Sequence, residues 1–157
     1  MDNYLKILEE SLRKKLQVLD EIQVYNEKQK QVFQSDSVEL DEFDAAVEEK
    51  GKLIEQISKL DEGFEVLYSN VAKELEGNKE KYVTQIQTLK QLVQQVTEKG
   101  VSIQAQEARN KALIESYFAK EREQIRQGRQ ASKAAYDYYK NMSNTNTVPP
   151  QFLDSKQ

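Results

Sequence analysis

The side chains that most often carry chemistry are missing from this sequence or badly spaced in it. Its 157 residues include no His and no Cys. That excludes an imidazole base, Ser-His-Asp and Cys-His sites, thiol redox chemistry, disulfides and metal sites built from Cys or His. Adjacent carboxylates occur, among them Glu9-Glu10, Glu48-Glu49 and Asp61-Glu62. Neighbours on a helix point about 100° apart, so none of these pairs makes a shared acid/base site. A di-iron bundle needs Glu-x-x-His, which cannot occur here. The five glycines are scattered, with neither G-x-x-x-x-G-K-[ST] nor G-x-G-x-x-G among them. The reading is of a protein that is not an enzyme and has no cofactor and no metal.

The next candidate is the basic stretch from Lys120 to Lys140. Lys120, Arg122, Arg126, Arg129, Lys133 and Lys140 face only Glu121, Glu123 and Asp137 there, and Tyr136, Tyr138 and Tyr139 lie among them. Tyrosines between cations can stack on bases. However, the chain as a whole has a net charge of −4, and nucleic-acid domains carry a denser basic face. The stretch is also poor in Leu and has no Trp, so it makes a weak membrane-surface helix. A basic helix end is what the macrodipole favours at a C-terminus. No nucleic-acid partner and no membrane insertion are expected.

The elements that must position any site are helices. The two prolines are Pro149 and Pro150, leaving the first 148 residues without a breaker. Leu5, Leu8, Leu12, Leu16, Leu19 and Ile22 follow steps of three and four, continued by Tyr25 or Asn26 and by Phe33. That predicts a helix over about 2–33. Ser35-Asp36-Ser37 breaks it, and Asp36 with Glu39 resembles a capping box. Leu40, Phe43, Val47, Ile54, Ile57, Leu60, Phe64, Leu67, Val71 and Leu75 predict a second helix over about 38–76, with Lys50 at one position where the stripe calls for an apolar residue. Gly77-Asn78 suits a helix end followed by a cap. A third helix is predicted over about 79–141, carried by Tyr82, Ile86, Leu89, Val93 and Val96 and later by Leu113, Ile114, Tyr117, Phe118 and Ile125. Residues 142–157 read as a disordered polar tail, which leaves one helical domain over 1–141.

Only 38% of residues are hydrophobic, too few for a compact globule and enough for narrow helical stripes. The expected fold is all-α: an elongated antiparallel bundle or coiled coil of three long helices. At 1.5 Å per residue the helices would span about 48, 58 and 94 Å. The third therefore outruns the others, and it either bends back near Gly100 or projects; the unbroken apolar spacing favours a continuous helix. Residues 35–76 carry four basic and thirteen acidic side chains, and residues 77–157 thirteen basic and eight acidic, which favours antiparallel pairing of the second and third segments. The N-terminus carries charges every few residues, so it does not read as a secretory signal, and no run approaches the ~18 apolar residues that span a bilayer. The expected location is the cytoplasm. The apolar face of the last third either packs on its own helices or a second copy, or awaits a partner helix. The length mismatch favours the partner, and a homodimer stays open.

In order and length these features resemble the FlgN-like family of flagellar export chaperones. The leucine-rich first helix, the Asp/Ser break and the acidic second helix with Leu40-x-x-Phe43 and Glu49-Lys50, then Leu53-Ile54 and Ile57, carry the resemblance. Asn110 followed by Leu113-Ile114 continues it. Tyr136-Asp137 is present near the end, but Tyr138-Tyr139-Lys140 stands where the family often has Lys-Gly. The resemblance implies a cytosolic chaperone without ATPase activity. It would bind hook-associated (hook–filament junction) proteins through its C-terminal helix and deliver them to the type III export gate. Mapped here, the implied client-binding residues are Asn110, Leu113, Ile114, Tyr117, Phe118, Ile125 and Tyr136. The competing readings are another small helical type III secretion chaperone and a structural coiled coil without a client.

Overall fold

The computed structural model describes residues 2–125. Three long helices run Asp2–Gln34 (α1), Leu40–Leu75 (α2) and Val83–Ile125 (α3), with a single 3₁₀ turn at Lys79–Tyr82 leading into α3. α1 ends at Gln34 where about 33 is expected, α2 spans Leu40–Leu75 where about 38–76 is expected, and α3 begins at Val83 where about 79 is expected. The C-terminal limit expected near 141 lies outside the described residues, as do Tyr136, Tyr138 and Tyr139 and the expected tail.

α1 is the shared element, because it packs along both α2 and α3. Lys15 meets Asp61 and Asn26 meets Lys50, so α1 and α2 run antiparallel. Asp20 meets Lys99, Asn26 meets Gln106 and Glu27 meets Arg109, so α3 runs parallel to α1 and antiparallel to α2. The leucine stripe of α1 is the core: Leu5, Leu8, Leu12, Leu19 and Ile22 are buried against Ile57, Phe64 and Val71 of α2 and Leu92, Val96 and Ile103 of α3. Asn26, rather than Tyr25, continues the stripe inward.

α3 is one unbroken helix through Gly100, with no fold-back. The Cβ-free site at Gly100 costs helix propensity but supplies no turn chemistry, and the apolar spacing continues on both sides. Along its described residues, α3 is covered by α1 and the start of α2 for most of its length. Its parallel register places the end of α1 opposite Tyr117, where Phe33 meets the tyrosine ring. The start of α2 adds Phe43 to the same core as Phe118. Cover therefore extends to Phe118, leaving only the last seven described residues beyond it.

Both breaks fall where the sequence places them, with different capping in detail. No capping box forms at α2. Its N-cap is Glu39, in extended conformation and without a side-chain cap. Ser35 and Ser37 instead close a local turn, with the Ser35 hydroxyl donating to the Ser37 carbonyl (3.0 Å) and accepting from the Ser37 N–H (3.3 Å). At the other end Gly77 sits at φ +86, past the end of α2. The Asn78 N–H donates to the Leu75 carbonyl at 2.9 Å, and the Asn78 amide reaches back to the Glu74 carbonyl rather than capping forward. Gly77→Ala is expected to cost about 1 kcal/mol, because a Cβ disfavours that left-handed conformation. Gly63 lies mid-helix with nothing within 4 Å of where a Cβ would sit. Gly63→Ala is expected to gain about 0.5–1 kcal/mol. Urea midpoints of the two variants should move in opposite directions.

Candidate functional site at the distal end of the bundle

The α1–α2 connection and the distal part of α3 build a second, smaller core. Val32, Phe43, Ile114 and Phe118 are buried in it, with Phe33, Val38, Leu40, Val47 and Tyr117 packed around them. Its rings meet edge to face, with centroids 4.8 Å apart for Phe33 and Phe43, 5.2 Å for Phe33 and Tyr117 and 5.4 Å for Tyr117 and Phe118. That geometry sets the positive edge of one ring against the negative face of another.

A polar layer separates this core from the leucine-lined one. Lys50 enters it from α2 and is only 3% exposed. Its Nζ donates to Glu107 Oε1 (2.5 Å), Asn26 Oδ1 (2.8 Å) and Gln29 Oε1 (3.1 Å). The Asn26 amide donates to Gln106 Oε1 at 3.1 Å, and the Asn110 amide to the Asn26 carbonyl at 2.9 Å. Gln29 Nε2 is buried without a partner. A lysine at an apolar stripe position is the signal that sequence reading held for this layer. Its partners, Gln29 and Glu107, gave no comparable signal. The Lys50–Glu107 pair also reverses the sense of the segment charges, with the cation on the acidic helix and the anion on the basic one. Local geometry, rather than net charge, ties α2 to α3 at this level.

The seven residues expected to bind a client divide into three groups. Asn110, Ile114 and Phe118 are 1–2% exposed and pack on the chain's own helices. In the free chain these three are covered, because the parallel register brings α1 and the start of α2 over them. Leu113 and Tyr117 are half-buried at the rim. Ile125 is 48% exposed, past the last covering residue among those described. Tyr136 lies outside the described residues.

Among the described residues, the site offers surface. Glu9 is engaged by Arg13 at 2.9 Å rather than by its neighbour Glu10. Among the described residues, no group of acidic side chains could hold a metal ion, and no helix is long and apolar enough to cross a membrane. A shallow groove of about 850 Å³ runs between α1 and α2 near Val32 and Ala46, walled by Tyr25, Lys28, Glu42 and Glu49.

The order of these elements agrees with comparison to known families. The sequence matches the family described as "FlgN protein" over residues 1–144. The chain belongs to the FlgN family, the flagellar export chaperones. No curated protein and no solved structure matches it. The FlgN match spans all three helices and both cores, so the distal core and its polar layer lie within the family region.

Proposed function

We propose that this chain binds hook-associated flagellar proteins at the distal end of α3 and delivers them to the type III export gate from the cytoplasm. One observation carries the reading. The apolar stripe of α3 continues from the buried Ile114 and Phe118, through the half-buried Leu113 and Tyr117, to the exposed Ile125, past the point where the described parts of α1 and α2 cover it. An apolar stripe that ends on a polar-rimmed surface suits reversible capture of an amphipathic helix. Covering the assembly helix of an unpolymerised client removes an aggregation-prone patch and needs no bond making or breaking. Asn110 belongs to the site as the residue that ties the base of this surface to α1.

The test is titration of the chain with synthetic peptides spanning the terminal helices of hook-associated proteins from the same cell. Leu113→Glu combined with Ile125→Glu is expected to weaken peptide binding more than tenfold. Helical circular dichroism should be unchanged, since neither side chain is in either core. Undiminished affinity in that double variant would place the contact elsewhere on the chain.

A further inference from the structure

Three of the residues assigned to the client surface are covered in the free chain, so some element must part before a client can reach them. We infer that the Lys50 layer is a built-in hinge, at which the distal core opens as a unit while the leucine-lined core stays closed. The inference rests on the proposed client site and concerns how that site is regulated.

Polar side chains from all three helices meet at one level of the bundle. α1 contributes Asn26 and Gln29, α2 contributes Lys50, and α3 contributes Gln106, Glu107 and Asn110. Among the described residues, twelve buried apolar side chains form the core on one side of the layer and four form the core on the other. Cooperative opening units divide where few apolar contacts are lost. Parting the bundle at a buried ion pair also returns both charges to water, which recovers much of their desolvation penalty. Gln29 Nε2 gains a hydrogen bond in that step that it lacks in the closed state. The layer therefore lowers the cost of opening on its distal side without weakening the proximal core. Opening there uncovers Ile114, Phe118 and Phe43, the apolar set that a client helix would then cover.

The hinge sets apparent affinity. A ligand that binds only the open form is weakened by the fraction of chains that are open. Changing the layer therefore changes client affinity and distal opening by the same factor, with no change to a residue that touches the client.

Amide hydrogen exchange on the full chain, read by mass spectrometry without any client, tests the hinge. Amides of Val32–Val47 and of 110–122 are expected to exchange together, at least tenfold faster than those around Leu8, Leu19, Ile57 and Val96. Glu107→Gln keeps the shape of the side chain but removes the counter-charge of Lys50, and is expected to speed distal exchange about tenfold. The variant Asn26→Leu, Lys50→Met, Glu107→Leu replaces the layer by apolar packing and is expected to slow it, with proximal amides unchanged in both. Binding of the terminal-helix peptides should then follow the same order, tighter in Glu107→Gln and weaker in the triple variant. Equal protection of the two cores, or a layer variant that moves both cores alike, overturns the hinge. A chain whose distal core opens as described but which binds no peptide overturns the client reading and leaves the hinge standing.

Discussion

Asp61→Ala is expected to lower the unfolding free energy by about 3–5 kcal/mol at neutral pH, while Lys15→Met is expected to be neutral or to raise it by about 1 kcal/mol. The two substitutions break the same contact, so the asymmetry is the informative result. Lys15 Nζ lies 2.6 Å from Asp61 Oδ1, and Lys15 is 1% exposed within the leucine stripe of α1. Burial pushes its amine below the ordinary lysine value of 10.5, and the hydrogen bond and charge of Asp61 pull it part of the way back. Removing Asp61 leaves a protonated amine inside the core without that carboxylate. Removing Lys15 leaves Asp61, whose side chain keeps some access to water, and puts apolar packing where a charge had been. The sign of the pH dependence follows from the lowered folded-state value. The unfolded chain holds its proton to higher pH than the folded chain does, so the cost of burying the charged amine is present in full below the depressed folded value. That cost eases as pH rises from the depressed folded value to 10.5. Without Asp61 the amine falls further, so the deficit of Asp61→Ala relative to the parent chain should narrow as pH climbs from 7 toward 10. Urea unfolding at a series of pH values reads the difference directly.

The periodic parts of this fold were legible because a helix reports its buried face every three or four residues. Leu5 to Ile22 announced α1 and the larger core, and Gly77 announced the end of α2 through the one conformation that glycine adopts cheaply. Lys50 was visible as a misfit in a stripe, but its meaning was not, since the partners that make it tolerable come from α1 and α3. Sequence separation hides such a layer: Asn26 and Gln106 are each unremarkable polar residues until register brings them together. The same limit explains Asn110, Ile114 and Phe118. Their spacing shows one apolar face, and spacing cannot say whether the chain itself or another polypeptide covers it. The decisive fact was the parallel offset of α3 against α1, which the spacing of the distal residues does not encode. Asp36 and Glu39 mark a helix start in composition, yet Ser35 and Ser37 satisfy the connection first and leave the box unformed. What distinguishes the distal end is therefore a matter of register and cover, carried by pairs of residues about eighty positions apart.

Phe118→Ala is expected to remove about 3–5 kcal/mol, the usual cost of truncating a buried phenylalanine. The ring is 1% exposed and meets Tyr117 edge to face. The loss should be confined to one end of the molecule. The distal core has fewer buried apolar side chains among the described residues than the leucine-lined one, so the cavity left by Phe118 is expected to open the distal core outright, and the measured loss then stops at that core's own stability. Distal amides should lose their protection while those around Leu19 and Val96 keep theirs. Ile22→Ala makes the contrast, because Ile22 is fully buried in the leucine-lined core. Its loss of about 2–5 kcal/mol should lower the urea midpoint of the whole chain and bring proximal and distal exchange closer together. The pair separates two ways in which a rod of helices can be stable. If the bundle were one cooperative unit, both substitutions would weaken every helix alike, and covering the distal face would depend on complete folding. With the Lys50 layer dividing it, the distal end can be weakened by several kcal/mol and the proximal core still holds α1, α2 and α3 in register. Such an end can exchange its own cover for that of a client while the chain stays folded.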